Sequence, residues 1–124
     1  MASAKEHRAW AKRTEAFYNS LGGAQAKDAE WAMTALFYTA LHEIQAFLVS
    51  RASTLSAAGI AVPWGHKERR EVLSQRYGKL APLYDRFLDL DRQGRYDCIV
   101  PTEDDLKDAE KLLQRIRTQI KSYR

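Results

Sequence analysis

The chain has 124 residues, 45% hydrophobic and 29% charged, with a formal net charge of +4 at pH 7 and a pI near 9.3. A chain of this size buries roughly two-thirds of the surface its unfolded form exposes, which is enough for a single core, so residues 1–124 are read as one domain. The mild basicity admits a phosphate-bearing partner without the charge blocks of a nucleic-acid tail; the lone cysteine excludes an internal disulfide, and no apolar run approaches the roughly 20 residues that span a bilayer.

The amino-terminal residues are basic but lack an apolar stretch of signal-peptide length, so they are read as part of the fold of a cytoplasmic protein with no membrane partner. Apolar spacing is helical throughout and sustained period-two alternation is missing, which predicts an all-α chain. The first helix is expected over about residues 4–21, with Trp10, Thr14, Phe17 and Leu21 on its inward stripe and Gly22-Gly23 as its stop. The second, over about residues 25–51, carries Met33, Phe37, Ala40, Ile44 and Leu48 on one stripe and Trp31, Ala35, Tyr38, His42 and Gln45 on another. Two such faces mark the central helix of a bundle.

Residues 52–65 read as a linker rich in Ser, Ala and Gly, closed by Pro63. A third helix over about residues 65–77 presents Val72, Leu73 and Tyr77; Gly78 and Pro82 separate it, by a break or a kink, from a fourth with Leu83, Tyr84, Phe87 and Leu88. The stretch "DLDRQGRYDCIVPTEDD" has no periodicity and reads as a loop. Thr102 then serves as an N-cap with Asp105 three residues on, opening a last helix with Leu106, Ala109, Leu113, Ile116 and Ile120 inward.

Four groups of residues could carry chemistry, each with a plainer alternative. In "VPWGHKERREVL", His66 is either a simple first-turn residue or, with Arg69 and Arg70 and the free amides of a helix start, a corner that accepts an anion. His42 is either a core histidine satisfied by a neighbour or a group in an interhelical cleft, tuned for acid–base work. Arg92 and Arg95 either cap helix carbonyls and pair with Asp91 or Asp97, or hold a phosphate while Tyr96 stacks on a base. Trp64 is a lid over the bundle or a partner anchor. The basic carboxy-terminal helix reads as a solvated face. Cys98 reads as a small buried apolar group, and no metal site or cofactor is inferred because no second cysteine or His/Cys/Asp cluster accompanies it.

Three stretches in this order, "LFYTALHEIQAFL", "GHKERR" and "DRQGRYD", resemble the HEPN (higher eukaryotes and prokaryotes nucleotide-binding) domain over essentially the whole chain. The resemblance implies a single up-and-down bundle of four to five helices that commonly pairs as a homodimer. It also implies work in RNA cleavage, toxin–antitoxin or phage-defence systems, or nucleotide binding beside a nucleotidyltransferase. Catalytic members use an arginine followed by a histidine in an Arg-x4-6-His word, a base for the 2′-hydroxyl and a cation for the developing phosphorane charge. His7, His42 and His66 all lack that arginine upstream. The expectation is therefore a binding or regulatory module for RNA or a nucleotide, with a cognate nucleotidyltransferase or defence protein as partner. The alternative is a metal-independent ribonuclease toxin that assembles a noncanonical pair from His42 or His66 with Arg69.

Overall fold

The computed structural model describes residues 2–123, and they form six α-helices with no strand among them. These are α1 (Ala4–Ser20), α2 (Ala29–Ser50), α3 (Ala52–Ala57), α4 (His66–Arg76), α5 (Ala81–Arg95) and α6 (Glu103–Ser122), with a 3-10 turn at Gly23–Gln25. The all-α bundle is as expected, with one short helix more than the four to five anticipated. Helix α1 opens on a capping box in which Ser3 and Glu6 exchange side-chain and backbone hydrogen bonds, both 3.1 Å. It ends where Gly22, at φ 108, and Gly23, at φ 61, take the left-handed conformation that only glycine enters without strain. Helix α6 opens on the expected capping box between Thr102 and Asp105.

Helix α2 is the hub, packing against α1, α5 and α6. Its Met33, Phe37, Ala40, Ile44 and Leu48 are all buried, in one cluster with Phe87 of α5 and Leu106, Leu113 and Ile116 of α6. By length and composition α2 is also the one described helix apolar enough to cross a membrane, an attribute the sequence reading missed; 67% of its apolar window is buried inside the bundle. Across the outside, Arg117 of α6 donates to Glu15 of α1 at 3.0 and 3.1 Å and reaches Glu43 of α2 at 3.5 Å.

Four expectations need correction. Trp10 and Phe17 point outward, each about half exposed, because the inward face of α1 is carried by the next positions: Ala11 and Tyr18 are buried, and the Thr14 hydroxyl lies 2.7 Å from that of Thr39. The supposed linker holds the short helix α3, anchored by the fully buried Leu55. The supposed loop after Leu88 is helix as far as Arg95, so only residues 96–102 form the connection to α6, and Arg92 and Arg95 belong to the last turn of α5. There the inward stripe continues as Leu90 and Asp91, and a buried carboxylate is invisible to a hydrophobic pattern. Finally, Cys98 is exposed, at φ 57, in the turn that leaves α5.

These burial patterns separate two phenylalanines. Phe87→Ala should cost about 3–5 kcal/mol in urea unfolding, whereas Phe17→Ala should stay within about 0.5 kcal/mol. Comparable losses for both would mean that α1 turns its other face inward.

Candidate functional site

The centre of the site is Arg69, in the second turn of α4. It lies three and four residues before Val72 and Leu73, the buried positions of this helix, so helical geometry places it on the inward face. Its residue is only 4% exposed and all parts of its guanidinium are engaged. Nε donates to Gln45 Oε1 at 2.9 Å, one Nη to the Tyr84 hydroxyl at 3.1 Å, and the other to the Trp64 carbonyl at 3.0 Å. Gln45, itself buried on α2, turns its amide to the Pro63 carbonyl at 2.8 Å. Among the described residues no carboxylate pairs with Arg69. It is a buried cation held by neutral acceptors, and each of its three nitrogens donates inside the protein. The picture of Arg69 as an exposed anion ligand or catalytic cation is therefore replaced by one of a structural hub.

His66, the first residue of α4, leans on that hub. Its Nδ1 is 2.5 Å from the Tyr84 hydroxyl and 3.4 Å from Arg69, while the residue as a whole is exposed and lines a cleft of about 490 Å³. Arg92, Arg95, Tyr96 and Asp97 line the same cleft, with Leu88 and Asp91 at its base. Asp91 is buried, accepts from Thr34 of α2 at 3.1 Å and pairs with Arg95 at 3.1 Å, so it fixes Arg95 at the rim. The Arg95 guanidinium lies 5.7 Å from the Tyr96 ring. The plain reading of Arg95 holds, since it is paired with Asp91, and the same side chain lines the cleft. In the lining itself the guanidinium groups of Arg92 and Arg95 stand with the carboxylates of Asp91 and Asp97, and the buried Arg69 adds its charge from behind His66.

Arg70 and His42 are not brought into this cleft. Arg70 pairs with Asp85 at 2.7 Å in the open. His42 meets His7 of α1, Nδ1 to Nδ1 at 3.0 Å, under the exposed rings of Trp10 and Trp64. One ring must donate and the other accept. The Nε2 of His7 is buried with no partner, so His7 is best placed as the Nδ1–H donor, which leaves a bare lone pair and no stranded proton. The start of α4 also differs from the anion corner expected there. The carboxylate of Glu68 folds back so far over Gly65 that a Cβ at position 65 would collide with it. The first turn already has its negative charge.

Burial and Arg69 together lower the pKa of all three histidines. For His66, desolvation around Nδ1 leads, Arg69, Arg92 and Arg95 add to it, and Asp91 opposes. For His42, desolvation is followed by His7 and then Arg69; for His7, desolvation and Arg69 outweigh Glu6. Burial raises the Tyr84 phenol against the pull of Arg69, so it keeps its proton.

Sequence reasoning had placed Gln45 and Tyr84 only as helix-face residues, and their part in the site was missed. The signal for Arg69 was present in its register with Val72 and Leu73; nothing local marks Tyr84 as its partner. No protein-family model matches the chain, and neither a curated protein nor a solved structure matches it.

The lowered histidines set a pH dependence. The folded chain resists protonating them, so the unfolded chain binds more protons below their ordinary value of 6.5, and the stability they contribute is lost as pH falls below it. Thermal melts should be level from about pH 8 to 7 and fall between roughly pH 6.5 and 5, with a shallower fall in His42→Gln. Arg69→Met should raise the NMR titration midpoints of His7, His42 and His66 together. Unmoved midpoints would deny the guanidinium its electrostatic reach.

Proposed function

We propose that this chain is a HEPN-like binding module that takes the phosphate of a nucleotide, free or in an RNA strand, into the cleft between the start of α4 and the end of α5. The observation that carries this reading is the convergence of His66, Arg92, Arg95 and Tyr96 on one cleft from two helices. Arginine offers a planar fork of donors that suits phosphate oxygens. Tyr96, 69% exposed beside Arg95, offers a face on which a base can stack. A volume of about 490 Å³ falls in the range of small-ligand sites. The resemblance supplies the setting: RNA- or nucleotide-linked defence or a toxin–antitoxin pair, with a nucleotidyltransferase or defence protein as cognate partner. It also supports a homodimer, for which the exposed Trp10, Phe17 and Trp31 of α1 and α2 offer apolar surface. The same convergence favours one other reading, a metal-independent ribonuclease, because it joins a histidine to arginines that the sequence keeps apart.

Calorimetric titration with AMP, adenosine and short single-stranded RNA tests the proposal. AMP and RNA should bind, adenosine should not, and affinity should drop between low and physiological salt. Arg92→Ala should weaken binding by about ten- to hundred-fold, the loss of a charge-assisted hydrogen bond, while Arg70→Ala leaves it unchanged. Equal binding of AMP and adenosine would overturn the phosphate site. RNA cleavage in excess chelator would give the ribonuclease reading its place. A monomer mass by light scattering at tens of micromolar would end the homodimer.

A further inference from the structure

The relay behind His66 has a direction. Arg69 carries donors only, so the Tyr84 oxygen accepts from it, and the phenolic proton is then free to point away. Nδ1 of His66 lies 2.5 Å from that oxygen and has the Arg69 guanidinium as its other polar neighbour, so from both sides it faces donors. The arrangement that satisfies all three groups has Arg69 donating to Tyr84 and Tyr84 donating to an unprotonated Nδ1. A neutral imidazole with a bare Nδ1 carries its proton on Nε2, the ring nitrogen left for the cleft.

We propose that Arg69 and Tyr84 are positioning residues that hold His66 as the neutral Nε2–H tautomer, so that the cleft meets its ligand there with a hydrogen-bond donor and not with a base. The ligand class that follows is an acceptor-only anion such as a phosphate ester, whose oxygens receive the His66 Nε2–H along with the Arg92 and Arg95 N–H groups. A ribose hydroxyl finds no proton acceptor on His66 in this state. The groups around the ring favour it from most sides: Arg69 on α4, and Tyr84, Arg92 and Arg95 on α5, with Asp91 opposing but already paired to Arg95, and Asp97 the other carboxylate on the cleft. Phe37 of α2 packs its ring 5.8 Å from the imidazole and adds no charge. The ligand class rests on the phosphate-cleft reading above; the tautomer does not.

Nitrogen-15 NMR of the free protein tests the tautomer without any ligand, with His66 assigned by comparison with His66→Gln. Near neutral pH the expected spectrum shows an unprotonated, hydrogen-bonded Nδ1 and a protonated Nε2. In Tyr84→Phe, which keeps the ring in the core, the Nδ1 signal should move toward that of a solvent-exposed imidazole as the two tautomers mix. A protonated Nδ1 in the wild type, or an Nδ1 signal unmoved by Tyr84→Phe, would overturn the relay. AMP titration then reads the role of the donor. His66→Gln keeps an amide N–H and should bind within a few-fold of wild type, whereas His66→Ala should lose about tenfold or more. If the two variants lose equally, His66 does not act as a donor. If wild type fails to bind AMP while the NMR result stands, the phosphate cleft fails and the relay survives.

Discussion

A single buried cation organises this end of the bundle. Taking a guanidinium out of water is costly, and the usual remedy, a carboxylate at its side, is missing for Arg69 among the described residues. Neutral acceptors from three places in the chain take over: an amide from α2, a phenol from α5 and a backbone carbonyl from the stretch before α4. Each must stay in place for the charge to remain solvated, so one side chain dictates where three segments meet. The charge itself stays uncancelled, and its field reaches every histidine in the chain.

That field shapes the chemistry available nearby. An imidazole serves as a base at neutral pH only when its lone pair is accessible to the substrate and a positive charge on it is tolerated. In the proposed tautomer the Nδ1 lone pair of His66 is turned to Tyr84, and Arg69 disfavours a positive charge on the ring. The same surroundings suit an anion, since a negative ligand meets guanidinium groups and a neutral donor in a partly enclosed space where charge is less screened than in bulk water. Asp91 limits the effect by holding Arg95 in register and taking up part of its charge.

Much of the fold was legible, and the reasons for the misses are specific. The inward stripe of α2 and the α6 capping box follow from helical spacing and local hydrogen-bond chemistry, which a sequence displays directly. The stripe of α1 was set one residue off at its bulky positions: Thr14 lies against α2 as read, but the buried positions are Ala11 and Tyr18, next to the Trp10 and Phe17 that were chosen for their size. The end of α5 was missed because its inward stripe continues through an aspartate, Asp91, beside Leu90, and a carboxylate breaks the apolar pattern. In the site, His66, Arg92, Arg95 and Tyr96 could be named as polar and aromatic groups near helix ends. Their convergence depends on how α4 and α5 pack, and no local pattern carries that. Arg69 was chosen for its charge and turned out to be defined by its register.

The stretch before α4 shows what such anchoring means for changes in chain length. Around Gly59, at φ 76, nothing crowds the position where a Cβ would stand, and the neighbouring residues are largely open to solvent. Four residues later the backbone is gripped at two successive carbonyls, Pro63 by Gln45 and Trp64 by Arg69. Extra residues inserted at 58–59 would loop into solvent at a small entropic cost. The same residues inserted at 63–65 would pull a carbonyl from Arg69 and strand its charge. Natural length variation and engineered fusions alike have one permissive side of this segment, and it is the side toward α3.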